Sequence, residues 1–113
     1  MHELALTEKM LQLVLIEAKN HQAQRVTKIK LSVGELSGII EDCVAYYFQL
    51  SARDTIAAGA KLEFAKCKAM LFCPVCQRQF EKKPQDFNCP NCGGLGRLTE
   101  VGRECFVESI EVE

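Results

Sequence analysis

Two short cysteine pairs set the strongest constraint on this chain. Cys73-Pro-Val-Cys76 and Cys89-Pro-Asn-Cys92 each hold two thiols separated by two residues. That spacing lets one tight turn aim both sulfurs at a single ion. Two such turns complete a tetrahedron of thiolates, the donor set that suits Zn²⁺. Gly93 and Gly94 follow the second pair, where glycine can take positive φ and bring backbone N–H groups near a sulfur. A redox dithiol is the competing reading, but a redox Cys-x-x-Cys normally comes singly, on a helix start after a strand. Four protein ligands leave no open coordination position, so zinc on Cys73, Cys76, Cys89 and Cys92 is expected to be structural rather than catalytic.

The chain has seven cysteines, an odd number that rules out a complete disulfide framework within one chain. The apolar stretch Leu13 to Ile16 is too short for the apolar region of a signal peptide, and Glu3 and Glu8 precede it. An unexported, cytoplasmic protein is therefore expected, in a compartment that disfavours disulfides. Cys43, Cys67 and Cys105 then read as small buried apolar residues. With 113 residues, 48% of them apolar, the chain can build one core with a small appendage. A sub-module of roughly thirty residues needs a staple such as a metal. No apolar run approaches the roughly 20 residues of a membrane span. A formal net charge of -1 argues against a general nucleic-acid binder.

Residues 4 to about 19 read as a helix, with Leu4, Leu11, Leu15 and Ala18 at three- and four-residue steps and Met10 and Val14 beside them. Arg25 to Val33 reads as a strand, with Thr27, Ile29, Leu31 and Val33 on one face. Gly34 to Gly38 is turn-rich. Glu41 to about Arg53 suits a second helix with Val44, Phe48 and Ala52 inward and an acidic first turn, as the helix dipole prefers. Lys61 to Lys66 alternates again. Gln77 to Asn88 is polar, with Phe80 and Phe87 as packing points and no long helix. The last strand carries Phe106, Ile110 and Val112 on its expected core face, interrupted by Glu108. The fold expected is α+β: a two-layer α/β domain, two helices on a small mixed or antiparallel sheet, with an inserted zinc-ribbon-like module. The expected division is residues 1–66 and 102–113 for the α/β domain and 67–101 for the zinc-binding domain.

The amino terminus, Met1-His2-Glu3, offers a second kind of chemistry. The α-amine of Met1, the amide nitrogen of His2 and Nδ1 of His2 can close fused five- and six-membered chelate rings, nearly planar. Ni²⁺ and Cu²⁺, which favour tetragonal nitrogen sites, can drive the amide deprotonation this needs. Glu3 can complete the set. The bland reading is a frayed terminus. His21, the other histidine, reads as a solvated residue near the end of the first helix.

These features together resemble the HypA/HybF family of nickel-delivery accessory proteins for [NiFe]-hydrogenase maturation. The resemblance rests on Met1-His2-Glu3-Leu4, Val33-Gly34-Glu35-Leu36-Ser37-Gly38 and Ala58-Gly59-Ala60-Lys61-Leu62. It also rests on both cysteine pairs, Gly102-Arg103-Glu104 and Ser109-Ile110-Glu111, and it spans essentially the whole chain. It implies an α/β nickel domain around the terminal His-Glu, with His2 the main nickel ligand assisted by Met1 and Glu3. It implies Ni(II) as transferred cargo and Zn(II) as a structural ion. It implies a HypB-type GTPase and the hydrogenase large subunit as partners, and a monomer or homodimer. Some members add a carboxylate from the loop after the Gly-Glu motif; here Ile40 falls near that place, with Glu41 and Asp42 just beyond. Cys105 stands where an apolar residue is more usual, which favours packing.

Two other readings compete with a non-enzymatic nickel carrier. One is a zinc-ribbon module for protein or nucleic-acid interaction. Residues 66 to 103 carry seven Lys or Arg against three acids, but four thiolates around one divalent ion take back about two charges. The other is an enzyme centred on Cys43 or the zinc, against which stands the closed metal site.

Overall fold

The computed structural model describes residues 3–113. Helix α1 spans Glu3–Asn20 and strand β1 Val26–Gly34; helix α2 spans Glu41–Ser51 and strand β2 Lys61–Cys67. Strands β3 Met70–Cys73, β4 Arg78–Glu81, β5 Arg97–Leu98 and β6 Cys105–Val112 follow. They form two separate three-stranded sheets. The first has the order β2-β1-β6, with β1 parallel to β2 and antiparallel to β6, so it is mixed. The second has the order β4-β3-β5 and is antiparallel. The chain therefore leaves the first sheet after β2, builds the second, and returns as β6 on the far side of β1.

The main core lies between the helices and the first sheet. Met10, Leu11, Val14 and Ala18 of α1 pack with Val26, Ile29, Leu31 and Val33 of β1 and with Val44 and Phe48 of α2. Ala52 and Ala57 close it beyond α2. Leu4, expected inward, is 42% exposed. Thr7 takes the buried position instead, because its hydroxyl donates to the Glu3 carbonyl at 2.6 Å within the helix and leaves its methyl for packing.

Two bulges correct the simple alternation expected of the strands. Val26 pairs with Val112 and Lys28 with Glu111, which leaves Thr27 as an extra residue in β1. The inward set becomes Val26, Ile29, Leu31 and Val33, and Thr27 is only half-buried, its hydroxyl donating to the Glu111 carbonyl. In β6, Ser109 pairs with Lys30 and Val107 with Leu31, which makes Glu108 the extra residue in the ladder. An extra residue flips the parity of everything beyond it. Cys105 and Val107 therefore join Ile110 on the core, while Phe106 is turned outward and is 54% exposed; Val112, two residues beyond Ile110 at the strand's end, is 38% exposed. Central Lys28 pairs with Glu63 on β2 and with Glu111 on β6, and Lys30 with Glu108, giving a cross-strand ladder of opposite charges.

The second sheet shares none of this core. Its own buried residues are Ala69, Leu71, Cys73 and Cys89. Phe80 lies against Gly96, where an added Cβ would come within 2.5 Å of the ring. The neck between the sheets is made of backbone in close approach. The Gly34 N–H donates to the Glu104 carbonyl, Glu35 N–H to Cys67, and Leu36 N–H to Gly102. A Cβ on Gly34 would lie 2.4 Å from the Gly102 oxygen, and one on Gly102, whose φ is +82°, 2.4 Å from the Ala69 Cα. The molecule measures 54 × 26 × 17 Å, with a radius of gyration of 17.3 Å. A compact body of this length would have about 13 Å, so the second sheet projects from the first.

Candidate metal centre

Each cysteine pair sits in a turn against the second sheet. The first turn links β3 to β4: Cys73 ends β3, and Gln77 takes φ 56° to reverse the chain. The Gln77 N–H donates to the Cys73 carbonyl at 2.7 Å. The second turn repeats this, with Gly93 at φ 76° and its N–H donating to the Cys89 carbonyl at 2.8 Å. Asn88 braces it through its side-chain amide, which donates to the Gly93 carbonyl at 2.9 Å.

The four sulfurs converge, all lying within 4.8 Å of one another. Cys73 Sγ is 3.5 Å from Cys92 Sγ, and Cys89 Sγ is 3.9 Å from Cys76 Sγ. Thiolates about 2.3 Å from a tetrahedral Zn²⁺ lie roughly 3.8 Å apart, so the two contacts bracket the edge length such an ion requires. Cys73 and Cys89 are buried, Cys76 is half-buried and Cys92 is exposed. No ligand position is left to solvent or substrate in a complete set of four. The donor set and its spacing thus fit a closed, structural metal site.

Each sulfur also receives an N–H. Cys76 N–H donates to Cys73, Asn91 N–H to Cys89 and Gly94 N–H to Cys92, each at 3.4 Å. Cys76 is reached by a side chain, the Asn91 amide, at 3.3 Å. The backbone N–H groups of Cys92 and Asn91 pull the Cys89 thiol down to about 7. At Cys92 the Gly94 N–H also lowers the pKa, but the Cys73 thiol first, then partial desolvation and the Cys76 and Cys89 thiols, outweigh it and push the value up to about 11. A thiol ionised near neutral pH gives an incoming cation its first anionic ligand.

The other candidate site lies at the neck end of the first sheet, around the loop that follows Gly34. Met1 and His2 lie outside the described residues. Glu3 opens α1, and its carboxylate accepts the Ile40 N–H at 3.2 Å. Ile40 is the N-cap of α2, and its own side chain supplies no capping hydrogen bond. The fold thus brings the start of α1 to the start of α2, where Glu41 is half-buried and Asp42 exposed in the first turn. These acids line an open cleft of about 620 Å³ with Glu35, Cys67 and Lys66.

Cys43, Cys67 and Cys105, expected to be buried, are only half-buried. Burial pushes the Cys105 thiol up, and the Glu41 charge adds to this, so it stays protonated and packs on the core side of β6. His21 is exposed and 3.5 Å from Glu17, one helical turn back. Asn91 and Asn88 carry no signal in the sequence beyond lying in and beside a cysteine turn; their contacts depend on how the two turns meet.

Fold and sites together define a small two-lobed metal-binding protein: an α/β lobe, and a second lobe built around four cysteines. The chain matches, over residues 1–112, the family described as hydrogenase/urease nickel incorporation, metallochaperone, hypA. It is 40% identical over 114 residues to hydrogenase maturation factor HypA of Caldanaerobacter subterraneus subsp. tengcongensis, covering 100% of both chains. It is 39% identical to HypA of Dehalococcoides mccartyi strain CBDB1, over 100% of this chain and 95% of that one. Its fold is similar to the solution structure of the Ni metallochaperone HypA from Helicobacter pylori, with TM-score 0.74 and 23% identity, covering 99% of this chain and 97% of that one. The chain belongs to the HypA family of nickel metallochaperones.

Proposed function

We propose that this protein carries Ni(II) at its amino terminus and releases it to the maturation machinery of a [NiFe]-hydrogenase. The observation that carries the reading is the docking of Glu3 on the cap of α2. It ties the residue beside His2 to a loop with acidic neighbours. His2 is the main ligand, through Nδ1 and its amide nitrogen, with the Met1 α-amine closing the first ring and Glu3 adding a donor or positioning the turn. Few strong donors at a chain end suit a carrier, because its cargo must leave again. Glu41 and Asp42 stand near enough to the Glu3 contact to supply a further carboxylate.

Cys73, Cys76, Cys89 and Cys92 hold Zn(II), which when bound cross-links the two turns. The second lobe, residues 67–101, forms the zinc domain, and residues 1–66 with 102–113 form the nickel domain. The protein acts by transfer and not by catalysis, in the cytoplasm. A HypB-type GTPase and the hydrogenase large subunit dock around the nickel end, since a donor site must face its acceptor. An apolar groove of about 520 Å³ between α1 and β6, lined by Leu6, Met10, Leu13, Phe106 and Val107, lies beside that end and supports this placement.

The test is nickel titration of protein with a native, untagged terminus. His2→Ala is expected to abolish the tetragonal nickel spectrum and leave one zinc per chain. An added N-terminal residue weakens binding even with His2 present, because the α-amine becomes an amide. Unchanged nickel affinity and spectrum in His2→Ala would reject the terminal site and favour a cysteine site.

A further inference from the structure

The cysteine cluster contains an asymmetry that the ligand spacing does not explain. Three sulfurs take their N–H from the backbone of their own turn: Cys73 from Cys76, Cys89 from Asn91 and Cys92 from Gly94. In the second turn, Gly93 at φ 76° directs the next N–H onto Cys92. In the first turn, Gln77 takes the same conformation at φ 56°, and Arg78 pairs with Cys73 as Gly94 does with Cys89. The N–H that reaches Cys76 Sγ comes instead from the side chain of Asn91, at 3.3 Å across the cluster.

We infer that Asn91 is a positioning residue for the metal centre: its backbone N–H serves Cys89, its side-chain amide serves Cys76, and so one residue of the second turn clamps the first. The inference rests on the zinc reading above. Asn91 is exposed, and an exposed amide has water as an alternative partner. It gains from a sulfur acceptor when that sulfur is a thiolate, because the hydrogen bond is then charge-assisted. Donation to Cys76 withdraws charge from the sulfur that no backbone group serves. Without it, Cys76 becomes the most basic thiolate of the four and the first to leave the ion. Hydrogen bonds of this outer kind orient the ligands, and losing one typically costs about 10- to 100-fold in metal affinity. The Asn88 side chain supplies the internal contrast: it also braces the second turn, but through the Gly93 carbonyl and not through a sulfur.

The experiment compares wild-type protein with Asn91→Ala, Asn91→Asp and Asn88→Ala. Zinc content of the wild type comes first; a wild type without zinc would sink the zinc reading itself. With one zinc per chain in all four proteins, zinc transfer to a chromogenic chelator should be roughly 10- to 100-fold faster in both Asn91 variants. Asp should be the faster of the two, since its carboxylate faces a thiolate. In cobalt-substituted protein, the sulfur-to-metal charge-transfer band should move to lower energy in Asn91→Ala and stay in place in Asn88→Ala. Alkylation with iodoacetamide, mapped by mass spectrometry, should strike Cys76 first in Asn91→Ala. Wild-type transfer rate, an unmoved band and no preference for Cys76 would overturn the inference with the zinc reading intact. Should the Asn91 variants fail to fold, cadmium-substituted wild type decides by nuclear magnetic resonance. One Asn91 side-chain amide proton should be protected from exchange, and a freely exchanging amide overturns the inference.

Discussion

Glu3 shows how one side chain can serve the fold and stand beside the chemistry. Its carboxylate accepts the Ile40 N–H at the start of α2, where Ile40 offers no side-chain acceptor of its own. Negative charge at that position also meets the positive end of the helix dipole. Glu3→Ala removes the acceptor and is expected to cost about 0.5–1.5 kcal/mol. Glu3→Gln keeps an oxygen in place, so it should cost less. Denaturant unfolding of the zinc-loaded proteins measures the difference; equal losses in the two variants would show that the Ile40 contact contributes nothing.

At the scale of elements, the bulges decide which side chains meet. Glu108 is the residue that lets Val107 and Ile110, three positions apart, both pack on the core. Deleting Glu108 removes the bulge and leaves Val107, Ser109 and Ile110 in strict alternation opposite Leu31, Lys30 and Ile29, with Val107 and Ile110 still inward. The expected outcome is a denaturation midpoint close to wild type, since the exposed Lys30–Glu108 pair contributes little; a clear drop would show that the bulge itself holds the strand in place. The Lys28 ladder makes a pH prediction. The hydrogen bond and charge of Lys28 hold the Glu63 carboxyl below its ordinary 4.5. That contribution is present above 4.5 and lost as pH falls through the lowered folded value. Glu63, by hydrogen bond and charge, raises Lys28 above 10.5, so its contribution holds below that value and is lost as pH rises through the folded one. The stability gap between wild type and Lys28→Met should therefore be flat from roughly pH 5 to pH 10 and close in acid. A gap that widens in acid contradicts the pairing. The effect is small, as both partners are solvated.

At the scale of the molecule, two lobes of unequal self-sufficiency share a narrow neck. The first sheet has a continuous core with both helices; the second buries little beyond Ala69, Leu71 and two of its own cysteines. Chelating the metal should therefore abolish amide protection in β3, β4 and β5 while β1 and α1 keep theirs. Hydrogen exchange followed by mass spectrometry reads this directly, and simultaneous loss in both sheets would mean one cooperative unit. The neck depends on backbone contact that a methyl group cannot enter. Gly102→Ala meets both the φ of +82° and the Ala69 backbone 2.4 Å away, and is expected to cost about 1–3 kcal/mol. A Gly102→Ala protein as stable as wild type would show that the neck relaxes freely.

The sequence by itself determined the parts that follow from local chemistry. Paired cysteines two residues apart can close only a small ring around an ion, so the four-thiol cluster was legible before any fold was known. The two helices and the three strands of the first sheet followed from periodicity, and Val44, Phe48 and Ala52 face inward as expected; β3, β4 and β5, two to four residues each, are too short to show a period. The family followed from motifs spread along the chain. What tertiary structure alone decided concerns partners distant in sequence. A bulge exists only relative to the strand opposite, so the face of Phe106 and the burial of Val26 could not be read from alternation in one strand. Glu3 meets Ile40 across 37 residues, and Asn91 meets Cys76 across 15. Gly34 and Gly102 need to be glycine because two backbones pass within contact of each other. No single segment encodes such an approach; it arises when the inserted lobe returns the chain to the sheet it left.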